Sequence, residues 1–453
     1  MKSTNQLRLP FGPPPTKPRA LGAGAGAGAN RIGAEDLPFH DWYRFVLSYP
    51  PHLVDAYLDE FGAGPASLVL DPFCGTGTTI VQAKLRGIAA VGLEANPFAR
   101  FATSVKIDWE VDPSSLVAGA RAIASEAARI LESQGINDNG ALRDGQKEHV
   151  LRGLDREAAK LIITGSISPL PLHKALVLLD CLNRCKDQRW HSHALLAFAK
   201  ALVFSTSNLH FGPEVGVGKP KADTPVIAPW IGEAARIAGD LASASGRSFP
   251  RCEAMLADAR RPAQSLRPAS VDIVITSPPY PNEKDYTRTT RLESVVLGFI
   301  KTRAELRERK KALIRSNTRN IFKGDDDDRY VREHPGIQRI AEAIEQRRIE
   351  LGKTSGFERN YAKVTQNYFG GMARHLSELR TVLRPGARLA YVVGDQASYL
   401  RVMIRTGQLL AEIAGNLGYE VLRIDLFRTR FATATKEQLR EEVVILRWPG
   451  NHG

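Results

Sequence analysis

The chain has 453 residues, 43% of them hydrophobic, and only four cysteines. This composition excludes a disulfide scaffold and makes a reducing cytoplasm the default compartment; no apolar run reaches transmembrane length, so no membrane role is expected. A net charge of +13, from 62 Lys and Arg against 49 Asp and Glu, makes nucleic acid the natural partner through nonspecific attraction.

Residues 1–35 carry prolines and a Gly-Ala alternation from Gly22 to Ala29, which reads as a flexible tail and not a signal peptide. A core segment, 36–110, follows. Its elements are a helix around Leu53 to Phe61 ending at Gly62, a strand Leu68-Val69-Leu70, a helix from Ile80 to Arg86, and a strand from Ala89 to Leu93 ending at Glu94. This is one β-α-β unit of an α/β fold. Residues 111–249 read as a helical insertion the size of a small domain, with helices at Pro113 to Gln134 and His193 to Phe204. The core resumes over 250–292 with a weak strand before Asp258 and a clear one, Val271 to Ile275. A charged insertion, 293–361, interrupts it again. The last core segment, 362–453, holds a helix from Tyr368 to Leu383 ended by Pro385-Gly386, a strand Leu389 to Val393, a helix ending at Gly418, and an antiparallel pair, Val421 to Phe427 with Val443 to Trp448.

Two strings sit where buried parallel strands end, the place where α/β sheets bind ligands. The first is Asp71-Pro72-Phe73-Cys74-Gly75-Thr76-Gly77-Thr78-Thr79. Its glycines let backbone approach a ligand closely at a helix N-terminus. Glu94, at the tip of the next strand, stands where an acid grips ribose hydroxyls in nucleotide folds. The string lacks the third glycine of the dinucleotide fingerprint and the Gly-Lys-Ser/Thr ending of a phosphate loop. A second glycine-rich stretch, Gly212 to Pro220, has the wrong spacing and a proline in place of the magnesium-holding hydroxyl, which excludes a nucleoside triphosphatase.

The second string is Thr276-Ser277-Pro278-Pro279-Tyr280. The Ser277 hydroxyl and Pro278 carbonyl are acceptors, successive prolines aim them beforehand, and Tyr280 offers a flat face for stacking. An aromatic amino group on cytosine or adenine is a poor nucleophile because its lone pair is delocalised into the ring. Acceptors around its N–H bonds pull the nitrogen toward tetrahedral geometry and free that pair.

Together the strings resemble the S-adenosylmethionine-dependent amino-methyltransferases acting on DNA, the N4-cytosine and N6-adenine type. The resemblance covers the core, about half of the chain, and lies in the cofactor motif followed by a Ser-Pro-Pro-aromatic motif. It implies a Rossmann-like methyltransferase fold: a mostly parallel seven-stranded sheet with an antiparallel closing hairpin, interrupted by the two insertions. It also implies that Asp71, Phe73, Gly75, Gly77, Thr78, Glu94 and Asp258 bind S-adenosylmethionine, with Asp258 accepting from the adenine amino group. Ser277, Pro278, Pro279 and Tyr280 are then the catalytic set handling a flipped base. Apart from the resemblance, Tyr286 and Arg288 lie just past the motif, where they either touch base or phosphate or, for Tyr286, pack the loop. The Ser form of the motif is associated with N4-cytosine enzymes. The implied substrate is duplex DNA, the implied context a restriction–modification or defence system with a cognate endonuclease or defence partner, and the implied location the cytoplasm, on the nucleoid.

N6-adenine methylation, RNA methylation and a noncatalytic cofactor- or DNA-binding subunit remain as alternatives. Cytosine C5 chemistry fails for want of a Pro-Cys nucleophile. Lys301 to Arg319, with eight basic residues against two glutamates, is expected to contact phosphates. Asp325 to Asp328 is expected to be a solvated loop. Cys181, Cys185, His191 and His193 do not match the tight spacing of a zinc knuckle, so no metal is expected.

Overall fold

The computed structural model describes residues 19–20, 32–45, 48–139, 151–212, 214–282, 284–432 and 437–450. Seven strands form the main sheet: β1 (Leu68–Asp71), β2 (Ala89–Glu94), β3 (Cys252–Leu256), β4 (Val271–Thr276), β5 (Leu383–Gly394), β6 (Glu420–Ala432) and β7 (Glu437–Arg447). Their order across the sheet is β3-β2-β1-β4-β5-β7-β6. All are parallel except β7, which slots antiparallel between β5 and β6. This is the Rossmann-like methyltransferase arrangement. The winding reverses between β1 and β4, and the crevice at such a reversal, outside the strand ends, is the ligand-binding position of open α/β sheets. Arg19–Ala20 adds a two-residue parallel edge beside Asp425 and Leu426 of β6, so the expected N-terminal tail contributes at least this pairing. Its Gly-Ala alternation lies outside the described residues.

The central strands are apolar on both faces because helices cover both. Val69, Leu70, Val271, Ile273, Val274 and Ile275 are all buried. α1 (Pro51–Glu60) packs on α2 (Thr78–Leu85), which with α3 (Pro97–Lys106) packs on β1 and β2. Asn96 caps α3 by accepting from the Phe98 and Ala99 N–H groups at 3.0 and 3.3 Å, which fixes the turn after β2.

The 111–249 segment supplies α4 (Pro113–Ser133), α5 (Pro169–Asn183), α6 (His191–Ala201) and α7 (Ile227–Ala244), with a small ribbon pairing Leu209–Phe211 and Val215–Val217. Leu116, Ala120, Ile123, Ala127 and Leu131 of α4 recur at helical spacing and are buried. They join one apolar cluster with Trp42, Tyr57, Val69 and Ile273, so these helices share the core of the sheet.

The 293–361 segment, with α8 (Arg303–Lys311) and α9 (Pro335–Glu350), attaches differently. Asp327 is buried and bridges Arg260 Nη1 at 2.5 Å and Arg374 Nη1 at 3.1 Å. Asp325 receives Nε and Nη2 of buried Arg315, each at 2.8 Å. The expectation of a solvated acidic loop is therefore wrong at these two residues. Buried guanidinium groups require carboxylate partners, and the loop provides them.

α10 (Tyr361–Leu379) starts earlier and stops sooner than its apolar stripe suggests. Pro385-Gly386 does not end the helix; it lies in a bulge of β5, where Val271 pairs with Leu383 and Ile273 with Arg388. α11 (Thr406–Asn416) then precedes β6.

Candidate active site

A cavity of about 320 Å³ opens at the carboxyl ends of β1, β2, β4 and β5, and both motif strings line it. Its size falls at the lower end of small-molecule sites, roughly 300–1,000 Å³. The cofactor string contributes Phe73, Gly75, Thr76 and Thr78, and the turn after β2 contributes Glu94 and Asn96.

Glu94 organises this half. Its Oε2 accepts the Gly75 N–H at 2.8 Å and its Oε1 accepts the Asn96 N–H at 2.7 Å. Burial pushes its carboxyl up to about 7, against the pull of those backbone donors. Gly75 and Gly77 both carry positive φ, 52° and 86°. A side chain at Gly77 would also meet Thr103 Cγ2 at 2.6 Å, so that position tolerates no Cβ. Phe73 presents its ring to the cavity and is braced edge-on by His375, with centroids 4.9 Å apart. His375 Nδ1 donates to the Ala259 carbonyl at 2.7 Å, so Nε2 accepts from Tyr391 Oη at 2.7 Å; burial lowers this imidazole to about 4 and keeps it neutral. A carboxylate with open lone pairs, an aromatic ring, small apolar walls at Ala257 and Ala259, and a glycine turn make a donor set that fits a nucleoside carrying hydroxyls and an apolar-faced base.

Asp71 sits beneath the cavity and joins its halves. It is fully buried and accepts from Thr276 Oγ1 at 2.5 Å, Tyr49 Oη at 2.9 Å and the Phe73 N–H at 3.1 Å. Burial raises its carboxyl to about 6, opposed by these three donors. Thr79 Oγ1 donates to the Ile275 carbonyl at 3.1 Å and also meets the Tyr49 hydroxyl. The start of the glycine string is thus bonded to the residue immediately before Ser277.

Ser277, Pro278, Pro279 and Tyr280 line the other half. Ser277 Oγ donates to the Val392 carbonyl at 3.1 Å, which commits its proton. The Tyr280 N–H donates to Tyr286 Oη at 3.0 Å, so Tyr286 both lines the cavity and pins the Ser-Pro-Pro-Tyr loop. Lys284, Arg428, Arg430 and Glu441 complete this side.

Besides Asp71 beneath the cavity, three residues expected at the site stand apart from its lining. Asp258, at the tip of β3, faces Arg260, whose Nε and Nη2 donate to it at 2.9 and 2.7 Å; Ala257 and Ala259 form the wall there. Arg288 lies past the loop, outside the cavity wall, and Gly77 shapes the turn without reaching the lining. The basic stretch 301–319 is partly engaged internally, with Lys310 Nζ on Asp285 at 2.6 Å. His193 Nε2 bonds the Asp108 carbonyl at 2.8 Å, and no group of potential metal ligands occurs among the described residues.

Sequence reading missed Tyr49, Asn96, Lys284, Arg428, Arg430 and Glu441. Only Asn96, before Pro97 and just after Glu94, carried a local signal, that of a helix cap. Lys284 follows the second string by four residues without a pattern of its own, and the remainder come from segments that only the tertiary fold brings to the site.

Sheet order, switch-point cavity and the two loops define the class: a Rossmann-like methyltransferase fold in which both motif loops line one cavity. No protein-family model matches the chain. It is similar to the type II methyltransferase M.BsoBI of Geobacillus stearothermophilus, 23% identical over 436 residues that cover 90% of this chain and 84% of that protein. It is similar also to the type II methyltransferase M.AvaI of a Nostoc species, 22% identical over 448 residues, 91% of this chain and 87% of that one. A shorter stretch of 69 residues, 15% of this chain and 13% of the other, is 33% identical to the type II methyltransferase M.MjaII of Methanocaldococcus jannaschii. The chain is thus similar to type II methyltransferases over about nine-tenths of its length, and S-adenosylmethionine is its methyl donor. No helix among the described residues is long and apolar enough to cross a membrane.

Proposed function

We propose that this chain transfers a methyl group from S-adenosylmethionine to the N4 amino group of cytosine in duplex DNA. The single observation that carries this reading is the bonding of the two loops into one cavity through Asp71 and Thr276, with the Ser277 proton already committed to Val392. When bound, S-adenosylmethionine supplies an electrophilic methyl on a sulfonium. The chain's own residues do the rest. Glu94 takes ribose hydroxyls on its remaining lone pairs, and Phe73 with Ala257 and Ala259 covers the adenine. Ser277 Oγ and the Pro278 carbonyl accept the two N–H bonds of the target amino group and localise its lone pair. Tyr280 stacks on a base extruded from the duplex, the only way such an atom becomes reachable.

In this reading the two insertions supply target recognition and backbone contact. The enzyme is the modification partner of a cognate endonuclease in a restriction–modification or defence system, working in the cytoplasm on the nucleoid. The test is nucleoside analysis of duplex DNA incubated with the purified chain and methyl-labelled cofactor. Label in N4-methyldeoxycytidine is expected; label in N6-methyldeoxyadenosine, in RNA alone, or in nothing would overturn the reading.

A further inference from the structure

Arg428 on β6 and Glu441 on β7 face each other across the closing hairpin in direct register, and both line the cavity. Arg428 Nε donates to Glu441 Oε2 at 2.5 Å and Nη2 donates to Oε1 at 2.9 Å, a bidentate fork that fixes the guanidinium plane. Among the described residues nothing accepts from Arg428 Nη1, and the side chain keeps 26% exposure.

This fork stands beside the stacking aromatic. Glu441 pairs across the sheet with Gly394 at the end of β5. A Cβ at Gly394 would lie 2.9 Å from Tyr280 Cε2 and 3.4 Å from Glu441 Cγ, so the tyrosine ring and the glutamate stem share the space a side chain there would fill. Burial raises the pKa of the Tyr280 hydroxyl, Glu441 adds to that rise and Arg428 opposes it.

We infer that Arg428, held by Glu441, is the specificity-determining group of the base pocket, donating to N3 and O2 of the target cytosine. This rests on the cytosine reading above. With the amino group held at Ser277 and Pro278, cytosine presents two further acceptors along the same edge, N3 and then O2. Adenine presents N1 and then a C–H, so one donor of the guanidinium would be left facing carbon and unpaired. Lysine, a point donor, would not match that edge. Glu441 keeps the pair close to neutral, so positive charge gathering on the base during transfer meets no isolated cation.

The test crosses one side chain with one substrate atom. Wild type and Arg428→Met are assayed on a target duplex carrying either cytosine or a C-nucleoside aminopyridine, which keeps the amino group and ring nitrogen and lacks the 2-oxo group. Each single change is expected to lower kcat/KM about 10- to 100-fold. Together they are expected to cost no more than the larger one alone, with cofactor Kd within about twofold of wild type. Arg428→Lys, which keeps charge and loses the fork, should fall between. Multiplying losses, or an Arg428→Met enzyme with normal kcat/KM on cytosine, overturn the inference and leave the cytosine reading standing. If Arg428→Met loses cofactor binding, Arg428→Lys decides alone: wild-type kcat/KM on cytosine overturns the inference. Wild-type product identified as N6-methyladenine removes both.

Discussion

The loop after β1 and the loop after β4 meet at one cavity and are held in opposite ways. The cofactor loop is tied by charged side chains to its backbone: Glu94 takes the Gly75 N–H, Asp71 takes the Phe73 N–H, and buried Lys106 donates to the Thr76 carbonyl at 2.7 Å. The Ser-Pro-Pro-Tyr stretch itself is set by two prolines and by bonds that leave its carbonyls open, Ser277 Oγ to the Val392 carbonyl and the Tyr280 N–H to Tyr286, with Asn282 N–H on the Ser316 carbonyl beyond it; among the described residues no donor reaches the Pro278 carbonyl. The lesson is a division of labour. On the proposed function, strong internal acceptors shape the loop that fits a polar ligand, whereas the loop that itself accepts is stiffened without using up its acceptors.

The comparison breaks most visibly at Ser277. Ser277→Ala should lower turnover about 100- to 1,000-fold, the scale of losing one preorganised polar group, and leave cofactor affinity within about twofold. Radiolabel transfer alongside calorimetric cofactor titration checks both numbers, and equal losses in the two would erase the division. Glu94→Gln should do the converse, raising cofactor Kd about tenfold through loss of charge-assisted acceptance while single-turnover rate at saturating cofactor changes little. Thr276→Val cuts the bond from the base loop to Asp71. It should lower the transfer rate about fivefold to tenfold, the scale of one net hydrogen bond, at unchanged cofactor Kd.

A subtler expectation concerns pH. Burial raises Glu94 to about 7 and Asp71 to about 6. Cofactor affinity should weaken as pH falls through about 7, where Glu94 takes a proton and loses acceptor capacity; in Glu94→Gln that slope should vanish. Fold stability without cofactor runs the other way. Carboxyls with folded pKa above their unfolded values contribute stability present below the unfolded pKa and lost as pH rises through about 6 and 7. Thermal melts with and without cofactor from pH 5.5 to 8.5 separate the two slopes. The smallest effect belongs to α8, where Arg303→Ala should reduce the salt dependence of DNA binding by about one unit of log–log slope if that side chain meets a phosphate.

The same contrast explains what could be read from the sequence. Both strings were legible because each follows a β-branched run and carries its own chemistry within a few residues. Strands β1, β2 and β4 and the closing pair were legible for the same reason. The orientation of Asp258 was not, since its tip position suggests a ligand and only the structure shows Arg260 turned onto it. Asp327 read as solvent-facing because its partners, Arg260 and Arg374, are distant in the chain. Arg428 and Glu441 reach the pocket only because β7 inserts between β5 and β6, a consequence of sheet order that no local pattern encodes.

Hydrogen–deuterium exchange on adding S-adenosylhomocysteine tests most directly whether the two loops form one site. Protection is predicted together in peptides spanning 72–79 and 276–286, with the second losing protection in Thr276→Val while the first keeps it. Protection confined to 72–79 in the wild-type chain would contradict the account.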